Sequence, residues 1–210
     1  MKKKYTAEEA RLLILNTATT LFLEKGYEQT SISDIVSGLD GLTKGAVYHH
    51  FDSKYDILIE IVNTLVPKKE LLEEIDTNKN LNGLEKIQTL FLEAMFQPEI
   101  ASQAIIISGL LEDPIFTSLY NKQICYYLAP KIESYIIEGN QDGSIETTQP
   151  EEMAEIIILL ISTWFIQSLF VTTSENFFKK LTAAKFVLKS SGIDVLSDDV
   201  LQKIKNYLSN

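Results

Sequence analysis

Apolar residues recur along this chain at the spacing of α-helices. Between Thr6 and Gly26 they fall on one face of a helix that the glycine ends. The apolar positions are Ala10, Ile14, Ala18, Leu21 and Phe22. Because this spacing brings every one of them to the same side, the segment is expected to pack that side against a core.

Hydroxyl residues mark the starts of three further helices in the first 70 residues. Ser31 and Ser53 each precede an aspartate by three residues, a capping-box-like spacing, and Thr43 can cap the helix between them. The fourth helix extends to about Val66. The order helix, short helix, glycine-containing turn, short helix is typical of a helix-turn-helix, whose second helix enters the DNA major groove.

The rest of the chain also favours helices, and no strand candidate competes with them. The pattern predicts helices over Leu81 to Gln97, Glu99 to Leu111, Pro114 to Glu138, Pro150 to Thr173, Glu175 to Ser190 and Asp194 to Leu208. The segment from Gly139 to Gly143 is the clearest predicted turn in this half. The expected fold class is all-α.

Composition and short motifs argue against several classes of enzyme. Cys125 is a single cysteine, interpreted as a buried small residue, and the two histidines are adjacent in sequence, so neither a metal site nor a Cys-His nucleophile is expected. No phosphate-binding glycine loop, nucleophile elbow or zincin motif occurs, so we expect neither an enzyme nor a cofactor.

The distribution of apolar and charged residues indicates the cellular location and bears on DNA binding. The uncharged run from 156 to 174 contains seven Ser, Thr or Gln residues, so it is interpreted as a buried helix rather than a membrane span. No secretory signal is found, so a cytoplasmic protein is expected. The net charge is −10, but residues 1–66 carry only −2 of it, which leaves room for a local basic edge.

The third helix carries the chemistry that favours DNA binding. Its apolar face is opposed by Lys44, Tyr48 and His49, whose side chains can donate hydrogen bonds to phosphates. Gly45 and Ala46 have almost no side chain, so the helix backbone can approach DNA closely and the alanine methyl group can touch a thymine methyl group.

These residues resemble the N-terminal signature of the TetR-type (TetR/AcrR) transcriptional regulators. The resemblance covers about residues 8 to 69 and centres on the TKG…YxHFxSK stretch. The matching residues are Ala18, Phe22, Gly26, Tyr27, Thr30, Ile35, Thr43, Lys44, Gly45, Tyr48, His50, Phe51, Ser53 and Lys54. The turn from Gly38 to Leu42 is about one residue longer than the commonest family version, which bears on the angle between the two helices.

The resemblance implies an N-terminal three-helix DNA-binding domain, 8–69, and a larger helical effector-binding and dimerisation domain, 70–210. It implies a homodimer that grips a near-palindromic DNA operator, and a small molecule that alters DNA affinity. The expected DNA-contacting residues are Thr30, Ser31, Thr43, Lys44, Gly45, Ala46, Tyr48, His49 and Lys54.

The sequence of the larger domain, 70–210, gives fewer indications of the ligand that it would bind. Aromatic residues and polar residues embedded in apolar stretches supply the candidates for an effector pocket, which are Phe91, Gln103, Ser108, Tyr127, Thr163, Trp164 and Gln167. Helices 150–173 and 175–190 are expected to form the dimer interface. The leading hypothesis is a ligand-responsive repressor. The alternative is an all-helical protein-interaction module whose helix-turn-helix does not bind DNA.

Overall fold

The computed structural model describes residues 5–96, 106–166, 170 and 173–209. All regular secondary structure in these residues is helical, which confirms the all-α prediction. The described chain divides into two compact units. Unit 1 combines Met1–Leu65 with Ile106–Tyr120, and unit 2 combines Val66–Ile105 with Asn121–Asn210.

Unit 1 begins with the helices that the sequence pattern predicts. Thr6, Ser31, Thr43 and Ser53 each accept a hydrogen bond from the backbone N–H three residues later, so the three predicted caps are confirmed and Thr6 caps the first helix in addition. Gly26 ends the first helix with a φ of 81°, a backbone conformation that favours glycine. The helices are α1 (Ala7–Lys25), α2 (Ile32–Gly38), α3 (Lys44–His50) and α4 (Lys54–Thr64).

The apolar faces of these helices meet in one small core. Ile14, Ile35, Val47 and Ile57, one from each helix, are completely buried. Because α2 and α3 are only seven residues long, they are too short to be stable alone and depend on this packing. The core therefore holds α3 in place and determines which of its sides stays exposed.

A later segment of the chain completes unit 1. Residues 106–110 are helical, and a Cβ atom added to Gly109 would lie 2.7 Å from the Leu23 side chain, so the absence of a side chain permits close approach to α1. The predicted helix from Glu99 to Leu111 lies in part outside the described residues. Its C-terminal part packs in unit 1, an association that no local sequence pattern indicates.

Unit 2 is built from longer helices. These are α5 (Lys69–Thr77), α6 (Gly83–Phe96), α7 (Pro114–Asp142, whose first residues lie in unit 1), α8 (Pro150–Leu159), a π-helical turn (Leu160–Phe165), α9 (Ser174–Ser190) and α10 (Asp198–Ser209). The sequence analysis did not predict α5, a polar segment of nine residues. The predicted helix from Pro150 changes to π-helical geometry after Leu159.

The predicted turn from Gly139 to Gly143 is wrong at its start. Helix α7 continues to Asp142, and the chain turns only at Gly143, whose φ is 82°. Gly139 is buried because α6 crosses α7 there: a Cβ atom on Gly83 would lie 2.2 Å from the Gly139 nitrogen. This glycine serves helix packing, a function that resembles a turn signal in the sequence.

Candidate nucleic-acid interface

Helix α3 presents one polar, exposed side. Val47 is completely buried, and Phe51 directly after the helix is also buried, so the opposite side of α3 faces solvent. That side carries Lys44, Tyr48 and His49, all exposed. The Lys44 ammonium nitrogen lies 5.9 Å from the centre of the Tyr48 ring, so these two donors share one patch. The structure thus exposes the three side chains that the sequence analysis selected as phosphate donors and places two of them, Lys44 and Tyr48, close together.

The small residues of α3 lie in the first turn of the same helix. A Cβ atom on Gly45 would meet only the Thr43 hydroxyl, at 3.8 Å, so the position is open. Ala46 is partly exposed, and its N–H is satisfied by the Thr43 side chain at 3.3 Å. The backbone of this turn is therefore accessible to a partner that approaches closely.

Ser31 and Thr43 lie at the starts of α2 and α3 and are exposed. Both hydroxyls cap their helices, and the Ser31 hydroxyl also donates to the Asp34 carboxylate. That carboxylate forms an ion pair with Lys25 at 3.5 Å. The hydrogen bond from Ser31 lowers the pKa of Asp34, so the carboxylate is charged at neutral pH beside the start of α2. Ser31 and Thr43 remain candidates for DNA contact because both residues are exposed.

Two side chains of the predicted DNA-contacting set form hydrogen bonds within unit 1. The Thr30 side chain is 1% exposed, and its hydroxyl donates to the carbonyl oxygens of Leu21 and Gly26 at 3.2 and 2.9 Å. Lys54 points its ammonium group inward, to the carbonyl oxygens of Tyr27, Glu28 and Thr30 at 2.6, 3.3 and 2.7 Å. These contacts hold the connection between α1 and α2, so both residues are structural here.

Burial explains the electrostatics of Lys54. Desolvation lowers the pKa of its ammonium group, and the nearby carboxylates of Glu28 and Asp113 act in the opposite direction.

Arg11, another residue near α3, pairs with Glu60 at 2.7 Å and lies over the Phe51 ring. Among the residues that the structure describes, the basic character of the exposed face therefore rests mainly on Lys44.

The predicted effector residues that the structure describes do not form one cluster. Phe91 is buried in the aromatic core of unit 2, Trp164 packs against that core, and Thr163 lies in the π-helical turn beside it. Tyr127 lines a separate groove of about 600 Å³ on α7 and α8. Ser108 is exposed and belongs to unit 1. Gln103 and Gln167 lie outside the described residues.

Cys125 corrects another expectation. It is exposed on α7 rather than buried, because the apolar face of this helix passes through Ile124 and Leu128 instead. Local desolvation and the charge of Glu155 raise the pKa of its thiol, so the thiolate form is scarce at neutral pH. Across residues 5–96, 106–166 and 173–209 no group of three or more His, Cys, Asp or Glu residues is placed to hold a metal ion.

Among the helices that the structure describes, none combines the length and apolar character needed to cross a bilayer. The uncharged run that begins at residue 156 is interrupted by the change from α8 to the π-helical turn.

A helix-turn-helix with a polar recognition face, in a chain with a second and larger helical unit, defines a DNA-binding transcriptional regulator. Residues 14–61 match the family model for bacterial regulatory proteins of the tetR family. The match lies within the helix-turn-helix and identifies that part of the chain as the DNA-binding region of a TetR-type regulator. The expectation drawn from the TKG…YxHFxSK stretch is confirmed.

Two curated relatives extend the match beyond the helix-turn-helix. The biofilm operon icaADBC HTH-type negative transcriptional regulator IcaR of Staphylococcus aureus (strain Newman) is 25% identical over 159 residues, which cover 75% of this chain and 83% of that protein. The protein of the same description from Staphylococcus epidermidis is 26% identical over 186 residues and covers 79% and 91%.

Solved structures show the same fold. NalD, the secondary repressor of the MexAB-OprM multidrug efflux pump in Pseudomonas aeruginosa, superimposes with a TM-score of 0.64 at 22% identity and covers 85% of this chain and 96% of that chain. A gamma-butyrolactone receptor described as an ArpA-like protein has a TM-score of 0.61 at 16% identity, with coverage of 97% and 98%.

Proposed function

We propose that the protein is a repressor that occupies a near-palindromic DNA operator as a homodimer and leaves it when a small molecule binds to unit 2. The observation that carries the proposal is the exposure of Lys44, Tyr48 and His49 on α3, a helix that is anchored by the buried Val47. Such a helix can enter the major groove without disturbing the core that positions it.

Repression is supported by the relatives. IcaR is described as a negative regulator of a biofilm operon, and NalD as a repressor of an efflux pump. A repressor needs only to occupy its operator, which demands DNA affinity and no surface for contact with the transcription machinery. We therefore favour repression over activation for this chain.

A homodimer is supported by exposed apolar side chains on the two helical segments expected at the interface, 150–173 and 175–190. On α8, Leu159 is largely exposed, and on α9 Phe186 is 74% exposed beside the exposed Val187. Residues of this size and polarity are stabilised by burial against a second subunit. Two recognition helices at a spacing of about 34 Å match half-sites one DNA turn apart.

The response to a small molecule is proposed to act through the connections between the units. The chain passes between them at residues 65–66, directly after α4, at 105–106, and at 120–121 within α7. A change in unit 2 would reach the helix-turn-helix along α4, which begins next to the recognition helix. Phe91, Tyr127, Thr163 and Trp164 are the described candidates for the effector site in unit 2.

The decisive experiment is a salt titration of DNA binding. Full-length protein is mixed with labelled duplexes from the region upstream of its own gene and with scrambled duplexes of equal composition. We expect selective binding to one fragment, with an affinity that falls steeply as salt rises because phosphate contacts release counterions.

Absence of selective binding at low salt would overturn the proposal. It would favour the alternative function, an interaction module whose helix-turn-helix does not read DNA, which the net charge of −10 would suit. The effector is sought by thermal stabilisation against a panel of small apolar compounds, since a ligand that binds only the folded state raises Tm. A hit must then weaken operator binding, and the operator must weaken its binding by the same factor.

A further inference from the structure

Asp113 uses its two carboxylate oxygens for two separate parts of unit 1. Oδ1 accepts hydrogen bonds from the N–H groups of Ile115 and Phe116, at 2.9 and 3.1 Å, and so caps the start of α7. Oδ2 accepts a hydrogen bond from the N–H of Tyr27 at 2.9 Å. The second contact joins residues that are 86 positions apart in the sequence.

Tyr27 is held from its other side by Lys54. The Tyr27 carbonyl oxygen accepts from the Lys54 ammonium at 2.6 Å, and the same ammonium lies 4.2 Å from the centre of the Tyr27 ring. The charges of Asp113 and Lys54 are opposite, and the carboxylate stabilises the protonated ammonium. The starts of α7 and α4 are thus joined through one residue of the connection between α1 and α2.

This connection determines where the helix-turn-helix begins. It spans only five residues, from Gly26 to Thr30, before Ser31 caps α2. The position of a Cβ atom on Gly26 lies 3.6 Å from Asp113 Oδ2, so the carboxylate sits directly against the turn. A displacement of Tyr27 would move the cap of α2, and α3 packs directly on α2.

We propose that Asp113 is a positioning residue for DNA recognition, which ties the first turn of α7 to Tyr27 and thereby sets the placement of α2 and α3. The proposal rests on the proposed function and names a residue that controls DNA affinity within it. Helix α7 continues from residue 120 of unit 1 into residue 121 of unit 2. A shift of α7 would therefore reach α2 and α3 through the Asp113 carboxylate.

The test separates the two functions of the carboxylate. Asn and Ser are good helix caps, but with the cap bond retained neither offers a second acceptor to Tyr27. In full-length protein, D113N and D113S are compared with D113A, which loses both contacts, and with E112Q, which removes an exposed neighbouring charge. Each variant is measured for Tm, for affinity to the duplex that the wild type selects, and for amide hydrogen exchange of the peptide around residues 22–30.

We expect D113N and D113S to lower Tm less than D113A does, because they keep the cap of α7. Their DNA affinity should fall by up to about tenfold, since the lost contact can shift the placement of α2 and α3 by no more than the free energy of one hydrogen bond to a charged group. Exchange around Tyr27 should accelerate in both variants and stay unchanged in E112Q. Wild-type affinity and exchange in D113N and D113S, with loss only in D113A, would show a helix cap and overturn the inference. If the wild type itself selects no duplex, the proposed function fails, which is a different result.

Discussion

The Lys54 ammonium lies 2.6 Å from the Tyr27 carbonyl oxygen and is directed to the interior of the DNA-reading unit. With Glu28 and Thr30 it has a carbonyl acceptor for each of its three N–H bonds. A lysine in the first turn of α4, beside the recognition helix, would be expected to reach for phosphate. In this structure it stabilises the connection between α1 and α2 instead.

Lys54 and Lys44 should therefore respond differently to the same substitution. Lys54→Met leaves three carbonyl groups without their donor and should lower the free energy of unfolding by about 1 to 3 kcal/mol. Lys44→Met should leave stability unchanged and reduce the slope of log affinity against log salt by about 2, because the proposed dimer loses one phosphate contact from each subunit. Urea unfolding and salt titrations measure the two effects. A reduced salt slope in Lys54→Met with normal stability would contradict the structural assignment.

Tyr48 offers a hydroxyl group at the exposed side of α3, where the residue is 45% exposed. Tyr48→Phe should weaken binding to operator and scrambled duplexes about equally, by about 1 to 3 kcal/mol, because a phosphate contact carries no sequence information. Tm should not change, since the ring and its packing are retained. A parallel fall of Tm and binding would assign the hydroxyl to the fold.

Gly45 tests whether DNA approaches the backbone of α3. The position has open space for a methyl group, so Gly45→Ala should raise helix stability by up to about 1 kcal/mol. DNA affinity should nevertheless fall, because the added Cβ atom would stand where the phosphate backbone or a base edge comes close. Thermal melting and duplex binding of this variant are measured together. Unchanged affinity would show that the first turn of α3 is not at the interface.

Unit 2 contains a lysine that needs its partner. Lys86 of α6 is 7% exposed, and its ammonium lies 2.6 and 2.7 Å from the two carboxylate oxygens of Glu138 in α7. Glu138→Gln leaves this charge buried with a weaker acceptor and should destabilise the protein by about 1 to 3 kcal/mol. Lys86→Met removes the buried charge and leaves a half-exposed carboxylate, so its cost should be smaller. Denaturant unfolding of both variants and the double variant checks this order.

Phe186 provides a test of the proposed dimer. Phe186→Lys places a charge at an exposed apolar position of α9 and should shift the protein towards monomer without lowering the helix content. Analytical ultracentrifugation over a concentration series measures the change. Tyr126→Lys on α7 is the matched control, because that tyrosine is also highly exposed but lies outside the proposed interface helices. Equal effects of both substitutions would argue against the proposed interface.

Much of this architecture follows from local sequence. The caps at Ser31, Thr43 and Ser53 each bond to a backbone N–H three residues later, so the sequence alone contains both partners. The apolar positions of α1 repeat with the helical period, and the polar side of α3 follows from the same period. The class of protein could therefore be predicted from about 60 residues.

The roles of individual polar residues depended on partners distant in the sequence. Lys54 carries a group that could donate to phosphate, yet carbonyl groups 24 to 27 positions earlier in the chain engage it. In the sequence Gly139 looks like a turn residue. Its packing against Gly83 exists only in the folded chain. Asp113 carries no motif at all, and its contact with Tyr27 exists because residues 106–120 return to the first unit. Hydrogen bonds within a few residues were determined by the sequence itself, whereas contacts across many tens of residues were decided only by tertiary packing.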